Sequence, residues 1–388
     1  MNRLNPRSLL LALAAPAMAV AFAFVISSLV LAISGSNPFN TYEVMLDNGL
    51  KLETFIDTLN RATPLFIAGV AAAIGFRMNL FNIGIEGQYV LAAFVAAVVG
   101  ANVELPGAIH ILVIIVTAMV VGALWAGLAG LLKVARGVNE VISTIMLNFI
   151  AIGGIIAATF PSVIDDSNAT NAGTPEISES GWLPDLNGVF ELVTREIGKG
   201  RRLTGMFAIA ILLGATYHVI VNRSRFGFDL RASGMNPFAA RAGGVPPVRM
   251  VMIAMILSGA VAGLVGMPEI LSDNHSYDQG FVRGLGFGGI GVALLGRNSA
   301  SGMGVAALLF GFLDSSSAVL QVQGDASASI VVIMQAVILL AAVVAYEVVN
   351  RIRQQDEIRR AALATGETNG NSPDDDEPLV GAANGGAP

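Results

Sequence analysis

The sequence predicts an all-α, polytopic membrane protein with about ten transmembrane crossings, one of them a short, glycine-rich helix that breaks or re-enters. Three observations predict it. The 388 residues are 54% hydrophobic and only 13% charged, with a mean hydropathy of +0.69, a balance foreign to soluble domains of this size. Apolar runs of roughly 20 residues recur along the chain, each long enough to cross a bilayer as a helix. The charges between them are segregated: a net charge of −6 hides strongly basic loops that alternate with acidic ones, the pattern that marks topology.

Arg3 and Arg7 precede the first run, residues 9–33, whose 25 residues exceed a signal-peptide core and read as a retained span. Residues 1–8 then form a cytoplasmic N-terminus. Residues 37–51 carry Glu43 and Asp47 and suit the outer side. The second span, 52–76, has Arg61 and Pro64 near its start, and the third covers 85–99. The fourth, 109–132, ends in Lys133 and Arg136, a cytoplasmic exit, and the fifth covers 138–159. Residues 161–202 form a hydrophilic insert with seven acids against four bases, placed outside, with Trp182 and the amphipathic stretch 190–197 at the interface.

After the sixth span, 203–221, the loop 222–249 carries Arg223, Arg225, Arg231, Arg241 and Arg249 against Asp229 alone. It is the clearest cytoplasmic loop of the chain. The seventh span, 251–270, has Gly259 and Gly263 at a spacing that predicts close helix contact. Residues 284–297 are apolar but too short and too rich in glycine for an ordinary span, so a broken or re-entrant helix fits. Runs 302–320 and 327–349 complete a transmembrane domain spanning 9–350. Residues 351–388, with Asp374, Asp375, Asp376 and Glu377, read as a disordered cytoplasmic tail. An even number of crossings puts both termini in the cytoplasm.

The polar residues between apolar runs carry the functional reading. Residues 76–88 place Arg77, Asn79, Asn82, Glu86 and Gln88 between two apolar runs, where desolvation is costly without partners or water. Gly84 and Gly87 permit a turn. The stretch reads as a polar solute path involving Asn79, Phe81, Asn82, Glu86 and Gln88, or else as a loop with helix caps. In the fifth span Glu140, Ser143, Thr144, Leu147 and Asn148 fall on one helical stripe. That stripe either glues helices together or lines the path, to which Glu140, Ser143 and Asn148 are assigned. In the basic loop, Asn236 suits an N-cap, Pro237 the first helical position, and Gly243 with Gly244 the end of a short helix over 238–242. Its small Ala239 and Ala240, with Arg241, would seat in a partner's cleft.

Other chemistry is missing. There is no cysteine, and His110, His218 and His275 are far apart, so no metal centre is expected. No phosphate-binding GxxxxGK[ST] loop and no GxSxG elbow occurs. Gly284-x-Gly286-x-x-Gly289 follows no strand and lacks the acid of a dinucleotide site. No catalytic residue is assigned, and the chain is not read as an enzyme. A stand-alone channel or ion-coupled transporter, with Glu86 or Asp314 as proton or cation site, is the rival reading.

Asn82-Ile83-Gly84-Ile85-Glu86-Gly87-Gln88 closely resembles the hallmark of the permease subunits of bacterial ATP-binding cassette (ABC) importers for ribose-like sugars, nucleosides and branched-chain amino acids. The loop 226–245, with Ala239, Ala240 and Gly244 in an Ala-Ala-x-x-x-Gly pattern, resembles that family's ATPase-coupling segment. Gly289-Ile290-x-Val292-Ala293-Leu294-Leu295-Gly296-Arg297-Asn298 resembles its late re-entrant motif. The likeness runs from about 52 to 351, and residues 139–148 look most like the nucleoside branch. Phe228, Asp229 and the acidic tail depart from the pattern. The resemblance implies a multi-pass protein of the bacterial cell membrane that meets lipid, a nucleoside or sugar, and no nucleic acid. It also implies three partners: an ABC ATPase that uses the ATP, a second homologous permease, and an extracellular substrate-binding lipoprotein. No cofactor of the chain's own is implied.

Overall fold

The computed structural model describes residues 21–22, 24–164, 172–188, 201–323 and 330–341, with the single positions 344 and 351. The N-terminal segment 1–8, the stretch 190–197 of the insert and the tail from 352 onward lie outside the described residues, as do parts of the first and last apolar runs.

The described residues fold as helices: α1 (Phe24–Ile33), α2 (Pro38–Gly49), α3 (Leu52–Arg77), α4 (Ile85–Asn102), α5 (Gly107–Arg136), α6 (Glu140–Phe149), α7 (Met206–Arg223), α8 (Arg225–Met235), α9 (Pro237–Ala242), α10 (Pro247–Gly263), α11 (Leu285–Leu295), α12 (Ala300–Gln323) and α13 (Ile330–Ala341). A π-helical stretch, Ile150–Ile156, carries α6 onward, so that Glu140–Ser162 forms one continuous apolar rod. Among the described residues, five helices are long and apolar enough to cross a membrane, and four shorter apolar ones accompany them.

Two elements differ from the sequence reading. The run 251–270, expected as one span, is helical in α10 only to Gly263 and then turns before a π-helical stretch, Glu269–Asp273. Residues 37–51, expected as a polar outer connection, form α2. The Asn37 side chain accepts from Phe39 N at 3.1 Å and Pro38 occupies the first turn. Thr41, Met45 and Gly49, four residues apart, make its buried face, which packs on α12 with Gly49 against Phe312 and Ser316. The Asn-Pro start is the one that announces α9. Here Glu43 and Asp47 drew attention away from it.

Helix α3 sits at the centre, packed against α7, α10, α11 and α12. Its middle, Ile67, Ala68, Val70, Ala71 and Ala73, is fully buried. Helix α5 is the most apolar of the long helices, yet it exposes Leu112, Val116, Val120, Leu124, Leu128 and Leu131. A soluble protein would reverse that order. In a bilayer lipid tails solvate leucine, so helices associate through close backbone approach and polar contacts instead.

The α5–α10 crossing shows such an approach. A Cβ on Gly259 would overlap the Gly122 carbonyl oxygen, and one on Gly263 the Ala118 carbonyl oxygen. The expected close contact at Gly259 and Gly263 is therefore present. Helix α11 lies as tightly on α3, with Gly289 against Ala68.

Residues 172–188 of the insert are tied to the segment after α10. Thr174 N donates to Tyr277 O at 2.8 Å, Ile177 N to His275 O at 2.9 Å and Leu183 N to Leu271 O at 2.9 Å. Trp182 stacks on His275, centroids 3.9 Å apart, and its indole N–H reaches Ile177 O at 2.8 Å. Burial lowers the His275 pKa, favouring the neutral ring, and burial raises that of nearby Asp273, with Asp185 adding to it.

Because a Cβ at Gly259 meets backbone and not a movable side chain, Gly259→Ala should cost about 1–3 kcal/mol. At Gly127 a Cβ meets only Ile256 Cγ1 at 3.6 Å, so Gly127→Ala serves as the control. Thermal unfolding in detergent should show a clear fall in midpoint for the first variant and none for the second. Equal midpoints would contradict the packing described.

Candidate functional site

Helix α11 is the short glycine-rich helix expected from residues 284–297. Its 11 residues span roughly 16 Å, about half the hydrocarbon core. Its first turn packs against α4, with Gly286 buried, where a bare N–H group is costly. Gly284 begins it with φ +91°, a left-handed conformation that favours glycine, and no side chain of its own caps it.

The cap comes from α4. Glu86 Oε1 accepts from Gly284 N at 2.6 Å, and Oε2 from Gly286 N at 3.0 Å. The carboxylate is 5% exposed. A buried anion at a helix N-terminus meets both free donors and the positive end of the dipole. A Cβ on Gly286 would run into the Glu86 backbone, so glycine lets the two chains approach. The Tyr89 hydroxyl lies 3.1 Å from Glu86 Oε1 and 2.9 Å from Val282 O, and its one proton serves either.

The far end of α11 is held from the same stretch. Arg77 Nη2 donates to Asn298 O at 2.7 Å, and Tyr217 OH to the same oxygen at 2.8 Å. Asn298 and Arg297 both have φ +54°, turning the chain sharply after α11. An anion thus faces the start of the half-helix and a cation lies just past its end, the order that suits its dipole.

The residues between Arg77 and Gln88 are bonded to one another. Asn82 and Gln88 exchange two amide hydrogen bonds, at 3.0 and 2.9 Å. Asn82 Nδ2 also reaches Ser258 Oγ at 2.9 Å, and Ser258 donates to Ala71 O at 2.7 Å. Asn148 of α6 accepts from Gly87 N and donates to Ile83 O, both at 2.9 Å. Glu140 pairs with Lys133 at 2.5 Å, and Ser143 Oγ bonds Glu140 O within its own helix at 3.2 Å.

The structure therefore brings Asn82, Glu86, Gln88 and Asn148 into one buried layer. Glu140 and Ser143 are buried nearby on the expected stripe of α6. Asn79 and Phe81 lie at its exposed edge, Asn79 with φ +57° and Phe81 edge-on to Phe76. Sequence reasoning missed Tyr89, Tyr217 and Ser258, and it missed the Gly284 and Gly286 amides, which no side-chain pattern announces.

The basic loop folds as its composition predicts. Asn236 Oδ1 accepts from Phe238 N and Ala239 N, each at 3.0 Å, Pro237 opens α9, and Gly244 has φ +86°. One expectation is corrected. Ala240, expected as a contact for a partner, is 6% exposed and seats α9 on its own chain, with Val245 N bonded to its carbonyl oxygen at 2.9 Å. The faces turned outward are Ala239, Arg241, Phe238 and Met235, the last two 83% and 87% exposed.

Residues 54–343 match the model of the family described as branched-chain amino acid transport system / permease component. The chain belongs to that family. The matched range starts in the first turn of α3 and ends just beyond α13, so it holds Arg77, Glu86, α11 and the α8–α9 loop, and leaves out α1 and α2. The permease is similar to a guanosine ABC transporter permease protein of Bacillus subtilis, 31% identical over 86% of this chain and 93% of that one. It is also similar to a glucose ABC transporter permease protein of Haloferax volcanii, 30% identical over 87% and 90%. A nucleoside ABC transporter permease protein of Lactococcus lactis is 30% identical over 84% and 90%. No solved structure matches the chain.

Removing the Glu86 carboxylate strands the buried N–H of Gly286, at a cost of about 1–3 kcal/mol, and frees the part-buried one of Gly284. Glu86→Ala in the permease should lower the unfolding midpoint in detergent well beyond Glu86→Gln, which keeps one acceptor oxygen. Identical midpoints for wild type and Glu86→Ala would sink the capping role.

Proposed function

We propose that this permease is the membrane-spanning subunit of an ATP-driven importer that carries nucleosides, or a related ribose-like sugar, into a bacterial cell. A separate ABC ATPase hydrolyses the ATP, a substrate-binding lipoprotein delivers the solute outside, and a second homologous permease completes the path. The permease uses no cofactor of its own and binds no nucleic acid. The relatives named for guanosine and for nucleosides favour a nucleoside, and the one named for glucose keeps a sugar within the reading. The chain crosses the cell membrane about ten times, its termini cytoplasmic, the 222–249 loop inside and the 161–202 insert outside. The observation that carries the proposal is α9, a capped six-residue helix on the most basic loop, presented as a handle.

The solute passes along the polar layer of Asn82, Glu86, Gln88 and Asn148, past Asn79 and Phe81, with Glu140 and Ser143 beside it. In the state described these groups bond to one another and close the path. Sugar hydroxyls and base edges offer the same donors and acceptors, and replace those bonds as the layer opens. The ion-coupled alternative is weaker, because both candidate carboxylates are engaged: Asp314 with Arg61 at 2.6 Å and Glu86 with α11. At the cytoplasmic side the ATPase receives Phe238 of α9, beside Asn236, Pro237, Ala239 and Arg241. Ala240 and Gly244 keep the helix in place.

Uptake of labelled nucleoside into cells, challenged with unlabelled nucleosides, ribose, glucose and leucine, tests the substrate. Nucleosides should compete best, and stronger competition from a sugar would move the assignment. Phe238→Ala should cut recovery of the ATPase in a pull-down by about tenfold or more, as loss of a buried aromatic anchor does, and uptake with it. Full uptake by that variant, with the ATPase still bound, would remove α9 from the coupling role.

A further inference from the structure

The seam between α5 and α10 holds a feature that the transport reading leaves unused. A groove of about 290 Å³ runs along it, lined by Leu124, Gly127, Leu128, Leu131, Met252 and Ile256. Leu124, Leu128, Leu131 and Ile256 are all exposed, and every lining group is apolar. Gly127 has no side chain to fill the groove. A second cavity, of about 250 Å³, lies at the start of α10, lined by Arg241, Gly244, Val245, Pro246, Pro247 and Val248.

The two share a face of α10. Val248 lines the cavity, and Met252 and Ile256 line the groove, at successive steps of four residues, so they stack along one helical stripe. Arg249 stands one turn before Met252 on nearly the same line and is exposed. The two helices run antiparallel, since Gly122 opposes Gly259 and Gly130 opposes Met252 and Met255. The exposed Arg136 at the end of α5 therefore lies at the same cytoplasmic end. Lys133 is taken by Glu140, whereas Arg136, Arg241 and Arg249 enter none of the ion pairs among the described residues.

We propose that this seam binds an anionic phospholipid, with an acyl chain in the groove and the phosphate held by Arg249 at its cytoplasmic end. The division of chemistry is that of a lipid: an apolar slot on the most lipid-exposed helix, then cations at the level of the headgroups. A free phosphate would leave the slot empty. A second copy of the chain, docked by a two-fold axis along the seam, would set arginine against arginine. The proposal rests on α5 and α10 facing lipid and not on which solute is carried, so the uptake assays and this test fail independently.

The test uses the full chain in detergent, stripped of lipid and titrated with dioleoyl phosphatidylglycerol or dioleoyl phosphatidylcholine, with bound lipid counted by native mass spectrometry. Phosphatidylglycerol should bind at least about fivefold more tightly, the scale expected of one surface arginine. Arg249→Gln, at an exposed position, should abolish the preference and leave phosphatidylcholine binding as it was. Gly127→Leu should weaken both lipids, and excess inorganic phosphate should displace neither. Equal affinity for the two lipids, a preference that survives Arg249→Gln, or displacement by phosphate would each overturn the proposal. So would a Gly127→Leu variant that keeps its lipid but loses an oligomer, which would make the groove a subunit contact.

Discussion

The contact on which the rest of this structure depends is the Glu86 carboxylate set against the first amides of α11. The first turn of a helix leaves N–H donors without partners, and a donor as buried as that of Gly286 is costly if it stays unmet. No side chain of α11 itself meets them. A carboxylate does, and it is itself a charge that tolerates burial only because those donors receive it. Helix break and buried acid thus solve each other's problem. Arg77, nine positions earlier in the chain, reaches past the opposite end of α11 to the Asn298 carbonyl oxygen, so one short polar stretch holds both ends of one half-helix.

Everything around that clamp brings backbones close enough to make it. Gly289 lets α11 lie on Ala68 of α3, and Gly286 lets it approach α4. Asn148 crosses from α6 to bond the backbone at Ile83 and Gly87, and Ser258 crosses from α10 to meet Asn82. Four helices thus meet through polar groups at one level, while the lipid-facing helices outside carry leucine and valine. Apolar packing alone would not select this arrangement, because lipid competes equally for apolar side chains. Small residues and matched polar groups do select it.

Much of this was legible in the residues, and the parts that were not share a physical cause. Apolar length and charge segregation announce the long helices, and Asn236-Pro237 with Gly243-Gly244 announces α9 to within a residue, because capping is local chemistry. The burial of Glu140, Ser143, Thr144 and Asn148 follows from a single helical stripe. Helix α2 was hidden because two acids made residues 37–51 look like a loop, although Asn37-Pro38 gave the same start signal as α9. Ala240 was assigned outward because one turn of small residues does not say which side faces the chain. The partners of Glu86 lie about 200 positions away and are backbone amides, which carry no mark in a sequence. Residues 76–88 stood out as too polar for their surroundings, and that excess is the trace of a tertiary contact that only the folded chain completes.

If Glu86 holds the start of α11, that turn is closed only while the carboxylate is present. Hydrogen–deuterium exchange followed by mass spectrometry reads the turn directly, through peptides that cover residues 282–290. The account predicts that these amides are protected in the wild-type permease. In Glu86→Ala they should exchange about tenfold faster or more, with the middle of α3 and the α5–α10 crossing unchanged. Equal protection in both proteins would mean that the half-helix stands without its anion, and would contradict the account at its centre.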